Sequence, residues 1–247
     1  TVDDVERALR PVTRVVAVSW VQFLSGFRCD LDSIAALCRS RGVLLAVDAI
    51  QGVGGLRFDG ASIRPDLLTW GGHKWMGGMQ GAGFAVVADS LLHRLRPVRG
   101  WLNGPVDWDD FEATDDALHD DATRFRVGTL PTAALYAGDA ALGLFLDAGP
   151  EAIEAAVLDR AARLAAGLER LGARRYGSPD PARQSGIVTV AVDDPEGLHA
   201  HLEAQGVVAS LRSRLVRFAP HAHTRDADLD RALDAVASFG RTPIPTA

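Results

Sequence analysis

One alternation constrains the fold more than anything else in the chain. A valine-rich apolar run, "RVVAVSWV" within residues 12–21, is followed by an amphipathic segment and then by a second apolar run, "VLLAVDA" at 43–49. Short runs that are apolar throughout read as strands buried in a parallel sheet. Between them, Asp30 is placed to cap a helix whose apolar stripe is Leu31, Ile34, Ala35 and Cys38, and Gly42 is placed to end it. "PDLLTWGG" (65–72) and "GAGFAVVA" (81–88) supply a third and a fourth strand. Strand, helix, strand with short connections predicts βαβ units and a mostly parallel α/β sheet.

The second half has a different texture. Residues 96–126 are irregular, with tryptophans, prolines and acids, and a loop of that length is usually functional or touches a partner. Residues 131–146, "PTAALYAGDAALGLFL", read as a buried helix, and 151–171 as a long amphipathic one. From Gly172 onward, "GIVTVAV", a helix near 195–205, "VVASLRS", "LVRFAP" and a last helix over 225–239 predict a small α+β domain. The expected division is a large domain over residues 1–150 and a small C-terminal domain with its linking helix over 151–247, with the passage near 150–172. The final "RTPIPTA" reads as a frayed tail.

Composition narrows the partners. A net charge of -6 argues against a nucleic-acid or anionic-membrane surface, which needs a basic patch. No apolar run reaches the length of a membrane span, and no secretory signal is visible. The two cysteines, Cys29 and Cys38, make no disulfide framework, which fits a reducing compartment such as the cytoplasm.

Lys74 is the only lysine among 26 Lys and Arg residues. A coding bias toward arginine explains the other cations and makes the exception informative. Lys74 is either an accidental survivor or an amine that must lose its proton and attack a carbonyl, which arginine cannot do. Ligands of parallel α/β sheets sit outside the carboxyl ends of the strands. Asp48 ends one apolar strand and Lys74 lies just beyond the next, so both are expected to face one crevice. Asp48 either caps the turn "DAIQG" or serves a ligand there. Together the pair meets a known demand: a lysine in a Schiff base with pyridoxal phosphate needs an acid at the pyridine nitrogen. Gln51 is spaced to reach the ring hydroxyl and His73 to donate to a phosphate oxygen. The glycines at 71, 72, 77, 78, 81 and 83 allow close approach to a ligand, or else form a tight surface turn.

"VDAIQ" followed by "GGHKWMGGMQGAGF" resembles the class V aminotransferase group of fold-type I pyridoxal-phosphate enzymes, which includes cysteine desulfurases, selenocysteine lyases, kynureninase and isopenicillin N epimerase. "RFRVGTLP" and "LVRFAPHAHT" resemble two further segments of that family. The resemblance implies that Lys74 forms the Schiff base and moves the proton at the substrate α-carbon, that Asp48 pairs with the pyridinium nitrogen, that Gln51 binds the ring hydroxyl, and that His73 contacts the phosphate. It implies that Gly128 and Thr129 reach the phosphate of a neighbouring subunit, hence a homodimer. It also implies that Arg217 grips the α-carboxylate of an amino-acid substrate; without it, a strand-end surface arginine serves as well.

The departures are specific. Gly71 stands where the family often has a serine that bonds the phosphate. In "SWVQFLSG", Phe23, with Gln22 beside it, stands where desulfurases have an asparagine for the substrate carboxylate, so Gln22 is the candidate substrate contact. No cysteine follows Cys38, which argues against a NifS-type persulfide mechanism and leaves transamination, epimerisation or lyase chemistry open. The opening "TVDDVERALRP" resembles the helix and turn before the family's corresponding strand, so the chain is expected to be the back two-thirds of such an enzyme. The second expectation is accordingly a non-catalytic protein that self-associates and binds cofactor poorly. His221 and His223 are spaced like metal ligands but lack a supporting acid or cysteine cluster, so no metal site is expected. His93, His119, His199 and His201 read as surface or loop residues. The acids Asp115, Asp116, Asp120 and Asp121 lack the ordered spacing of a calcium loop and read as a solvated acidic loop.

Overall fold

The computed structural model describes residues 1–107, 109 and 116–239; the tail "RTPIPTA" and Asp115 lie outside them. In chain order the first half comprises α1 (Val2–Ala8), β1 (Val15–Ser19), α2 (Leu31–Arg41), β2 (Leu44–Asp48), α3 (Gly60–Ile63), β3 (Leu67–Gly71), β4 (Gly83–Val87) and α4 (Asp89–Leu92). The four strands form one sheet in the order β1-β2-β3-β4. β1, β2 and β3 run parallel, with Ser19 and Asp48 at the carboxyl ends of β1 and β2 in register and Thr69, midway along β3, opposite Asp48. The connections through α2 and α3 are long enough to return the chain to the same end. The connection from β3 to β4 holds no helix, and β4 returns antiparallel with Gly83 opposite Gly71.

Local chemistry sets α2. The Asp30 carboxylate accepts the Ser33 backbone N–H at 3.1 Å, and Gly42 ends the helix in the left-handed region at φ 63°. Its buried stripe is Leu31, Ile34, Ala35 and Cys38, which pack with Leu45, Val47 and Trp20. Cys38 is buried and Cys29 half-buried, both are free thiols, and burial pushes both above the usual thiol range. The strands depart from the expectation of burial throughout. Val16 is buried while Val15 and Val86 are half-exposed. Side chains alternate across a pleated sheet, so one face of β1 meets the core, while β4 is an edge strand with no buried residue.

The second half comprises α5 (Thr132–Ala148), α6 (Pro150–Arg170), β5 (Arg174–Arg175), β6 (Val188–Ala191), α7 (Pro195–Ala204), β7 (Ser210–Arg212), β8 (Leu215–Phe218) and α8 (Asp226–Phe239). A second sheet, β5-β6-β8-β7, is antiparallel throughout. Its core joins Val190 and Val216 with Leu164 and Leu168 of α6, Leu198 and Leu202 of α7, and Leu229 of α8. α6 serves both cores: Ile153 and Val157 belong to the first, Leu164 and Leu168 to the second. One rigid helix therefore fixes the two sheets relative to each other.

α5 corrects the reading of residues 131–146 as a buried helix. The helix is there, but only Ala134 and Gly138 are buried. Tyr136 is 78% exposed, Leu144 72% and Leu146 62%. Its apolar residues run nearly all the way round, and within one chain only one side of the helix has a neighbour to pack against. Among the described residues, no helix is long and apolar enough to cross a membrane. The irregular stretch before α5 is organised by Asn103, which is fully buried and donates from Nδ2 to the Arg124 carbonyl at 2.8 Å.

Candidate active site

Lys74 sits in the turn between β3 and β4. That turn is wound by bonds from Gly78 N–H to the Gly72 carbonyl (2.8 Å) and from Gly77 N–H to the Lys74 carbonyl (3.1 Å). The Lys74 side chain lines a crevice of about 630 Å³ between the two halves, together with Gln51, Trp75, Phe23, Arg217 and His221. Among the described residues, no hydrogen bond or ion pair engages its ammonium group.

The neighbour of Lys74 is the fixed point of the site. The Trp75 ring lies between two glycines: a Cβ on Gly55 would come within 2.7 Å of it and one on Gly186 within 2.3 Å, so neither position accepts a side chain without displacing the ring. His221 stacks on Trp75 at 5.3 Å between ring centroids. Its Nε2–H donates to the Trp75 carbonyl at 2.8 Å, while its Nδ1 accepts the Ala222 backbone N–H at 2.8 Å. Both ring nitrogens are committed in the neutral form, which fixes the tautomer. Burial pulls the His221 pKa below the usual histidine value against the pull of the Trp75 bond, and nearby His223 lowers it further.

Trp75 in turn orients Gln51. The indole N–H donates to Gln51 Oε1 at 3.0 Å. An indole can only donate, so the amide presents its oxygen to Trp75 and leaves its NH₂ group for the crevice. On the opposite wall, Arg217 of β8 donates from one terminal nitrogen to the Phe23 carbonyl at 2.7 Å. Its Nε is buried with no partner among the described residues. Burial, and then the neighbouring Arg212, pull Arg217 below the ordinary arginine pKa; a guanidinium nonetheless stays charged.

The structure gathers Lys74, Gln51 and Arg217 at the crevice and leaves the other sequence candidates outside its lining. Asp48 is exposed at the end of β2; its carboxylate accepts the Ile50 N–H at 3.0 Å and lies 3.4 Å from the Ser19 hydroxyl. It therefore caps the following turn, and its remaining lone pairs stay open to solvent. Gln22, the candidate substrate contact, also lies outside the crevice lining. Its amide oxygen accepts the Leu24 N–H at 2.7 Å, the Ser25 N–H at 2.6 Å and the Ser25 hydroxyl at 3.0 Å, so it holds its own loop while Phe23 faces the crevice. His73 is exposed and leans over Gly71: a Cβ at residue 71 would lie 2.9 Å from its Cε1. The imidazole thus occupies the space a serine at 71 would need. Gly128 is half-buried and Thr129 exposed, away from the crevice lining. His221 and His223 stack on each other at 4.8 Å. Trp75 and Arg212, also on the crevice wall, went unnoticed in the sequence; the one signal for Trp75 was a tryptophan directly after the sole lysine.

Comparison with known proteins gives a consistent picture. The family model described as aminotransferase class-V matches residues 1–210. The chain is 27% identical over 230 residues to an uncharacterized aminotransferase, YcbU, of Bacillus subtilis (strain 168), covering 92% of this chain and 60% of YcbU. The structure superposes with a TM-score of 0.87 and 26% identity on a mutant of the cystine C-S lyase C-DES that has glycine covalently linked to its PLP cofactor, covering 97% of this chain and 64% of that one. A cysteine desulfurase from Thermococcus onnurineus NA1 shares the fold at a TM-score of 0.87 and 19% identity, covering 97% of this chain and 63% of the other. The chain thus spans less than two-thirds of the length of each of these relatives.

Proposed function

This chain belongs to the aminotransferase class-V family, and from that premise we propose that it is the greater part of a pyridoxal-phosphate enzyme acting at the α-carbon of an amino acid. The observation that carries the reading is the placement of Lys74: the only lysine of the chain, in a crevice also lined by Arg217, where among the described residues the Lys74 ammonium is unengaged and the buried Arg217 Nε has no partner. When bound, pyridoxal phosphate withdraws electrons from the α-carbon and makes a proton or group there removable. The residues fit that cofactor. Lys74 is the amine that attaches it and then holds the proton moved at the α-carbon. The NH₂ group of Gln51, turned outward by Trp75, donates to the ring hydroxyl, and the Asp48 carboxylate takes the pyridinium nitrogen. His73, filling the space over Gly71, donates to the phosphate. Arg217 binds the substrate α-carboxylate in the bidentate manner a guanidinium favours.

Gly128 and Thr129, on the surface before α5, serve the phosphate of a second subunit. The exposed apolar side chains of α5 support such a homodimer, with the site shared between subunits. Free cysteines outside any disulfide framework support a cytoplasmic setting. Transamination, epimerisation and lyase chemistry all use these contacts.

A second reading, a self-associating protein that holds cofactor poorly, is favoured by the position of Asp48, His73, Gly128 and Thr129 outside the crevice lining. An absorption titration with pyridoxal phosphate separates the two. A visible band that forms with the chain, is removed by borohydride and is missing in Lys74→Ala supports the enzyme; no band at saturating cofactor supports the second reading.

A further inference from the structure

The wall opposite Lys74 carries more positive charge than one carboxylate needs. In β8 and β7, Arg217 pairs with Ser210 and Arg212 with Leu215. Directly opposed residues of an antiparallel pair share a face, and so do alternate residues of one strand. Arg212 and Arg217 therefore project from the same face as diagonal neighbours, and both line the crevice. The hairpin that holds this register is a tight two-residue turn. Its two turn residues, Ser213 and Arg214, both take positive φ, 49° and 60°, where side-chain-bearing residues are rarely found. A looser or shifted turn would move Arg212 to the other face.

The charge has no local counterpart. Arg14 and Arg183 stand elsewhere in the fold, and neighbouring Arg214 is paired with Glu196 at 3.1 Å, but among the described residues neither Arg212 nor Arg217 meets a carboxylate. The crevice lining includes Lys74, Arg212 and Arg217 and no aspartate or glutamate, in a chain whose net charge is -6. Phe23 and Ile187 line the same crevice and supply apolar wall. Two like charges held on one face repel each other unless a ligand brings the opposite charge.

We propose that the substrate is an amino acid bearing a second anionic group on its side chain, with Arg217 taking the α-carboxylate and Arg212 the distal anion across a short aliphatic stem. This deepens the reading of Arg217 given above and rests on it.

The test uses two carboxylates in the absence of cofactor, so it does not depend on whether the chain attaches pyridoxal phosphate. Ligand-observed NMR titrations measure binding of butyrate, with one carboxylate, and glutarate, with two, to the chain and to its Arg212→Ala, Arg212→Lys and Arg217→Ala variants. The chain is expected to bind glutarate about tenfold more tightly than butyrate, the difference one charge-assisted pair makes. Arg212→Ala should erase that preference, chiefly by weakening glutarate, Arg212→Lys should keep part of it, and Arg217→Ala should weaken both ligands. Circular dichroism checks that each variant is folded. Equal binding of the two carboxylates by the unaltered chain, a preference that survives in folded Arg212→Ala, or sulfate competing as well as glutarate would each overturn the proposal. A cofactor titration that fails while the glutarate preference holds would count against the enzyme reading alone.

Discussion

Replacing His221 by alanine tests whether one neutral imidazole pins the lysine loop to the second sheet. The substitution removes the 2.8 Å bond to the Trp75 carbonyl, the stack on Trp75 at 5.3 Å and the edge contact with Phe145 at 5.8 Å. A neutral hydrogen bond contributes about 1 kcal/mol net, and an aromatic pair about 0.5–1.5 kcal/mol. Because the ring is only half-buried, the expected loss is about 2.5 kcal/mol, read by urea unfolding at about pH 7.5. His221→Phe keeps the stacking and loses the bond, and should cost about 1 kcal/mol. The pH dependence follows from the lowered pKa of His221. Above the unfolded value of about 6.5 the ring is neutral in both states and its contribution is fully present. As the pH falls below that value the unfolded chain takes up a proton that the folded chain refuses, and the contribution is lost. The stability gap between the unaltered protein and His221→Phe should therefore narrow on acidification to about pH 5.5. A loss under about 0.5 kcal/mol for His221→Ala, or a gap that widens with acid, would refute this account of the contact.

Two other substitutions probe the scaffold. Gly186→Ala would put a Cβ 2.3 Å from the Trp75 ring and 2.7 Å from a Val157 methyl; overpacking of this kind should cost about 1–3 kcal/mol, and a thermal midpoint equal to that of the unaltered protein would contradict it. Asp30→Ala removes the cap on Ser33 and the 3.1 Å contact with Arg183, with an expected loss of about 1–2 kcal/mol. Although burial raises the Asp30 pKa, the Ser33 backbone bond and Arg183 more than offset it and hold the carboxyl below its usual value. The Asp30 contribution should thus be intact above the unfolded value of about 3.9 and disappear as the pH falls through the lower folded one; denaturant midpoints that converge already near neutral pH would show the cap contributes little.

The sequence by itself determined what depends on neighbours within a few residues. Asp30 and Gly42 bound α2 because a cap and a left-handed stop act over one helical turn. The four strands of the first sheet were legible because each is a short apolar run between turn residues, and Lys74 was conspicuous because no other residue shares its chemistry. Tertiary structure decided the rest. That Gln22 and Asp48 stand outside the crevice lining and that α5 is apolar yet exposed follow from which surfaces the chain can cover, and periodicity does not record that. The clamp on Trp75 joins Gly55, Gly186 and His221, and the crevice brings Arg212 of β7 and Arg217 of β8 together with Lys74 of the first sheet. Trp75 lies more than a hundred positions from Gly186 and His221, as Lys74 does from Arg212 and Arg217, and only packing and strand register bring them together.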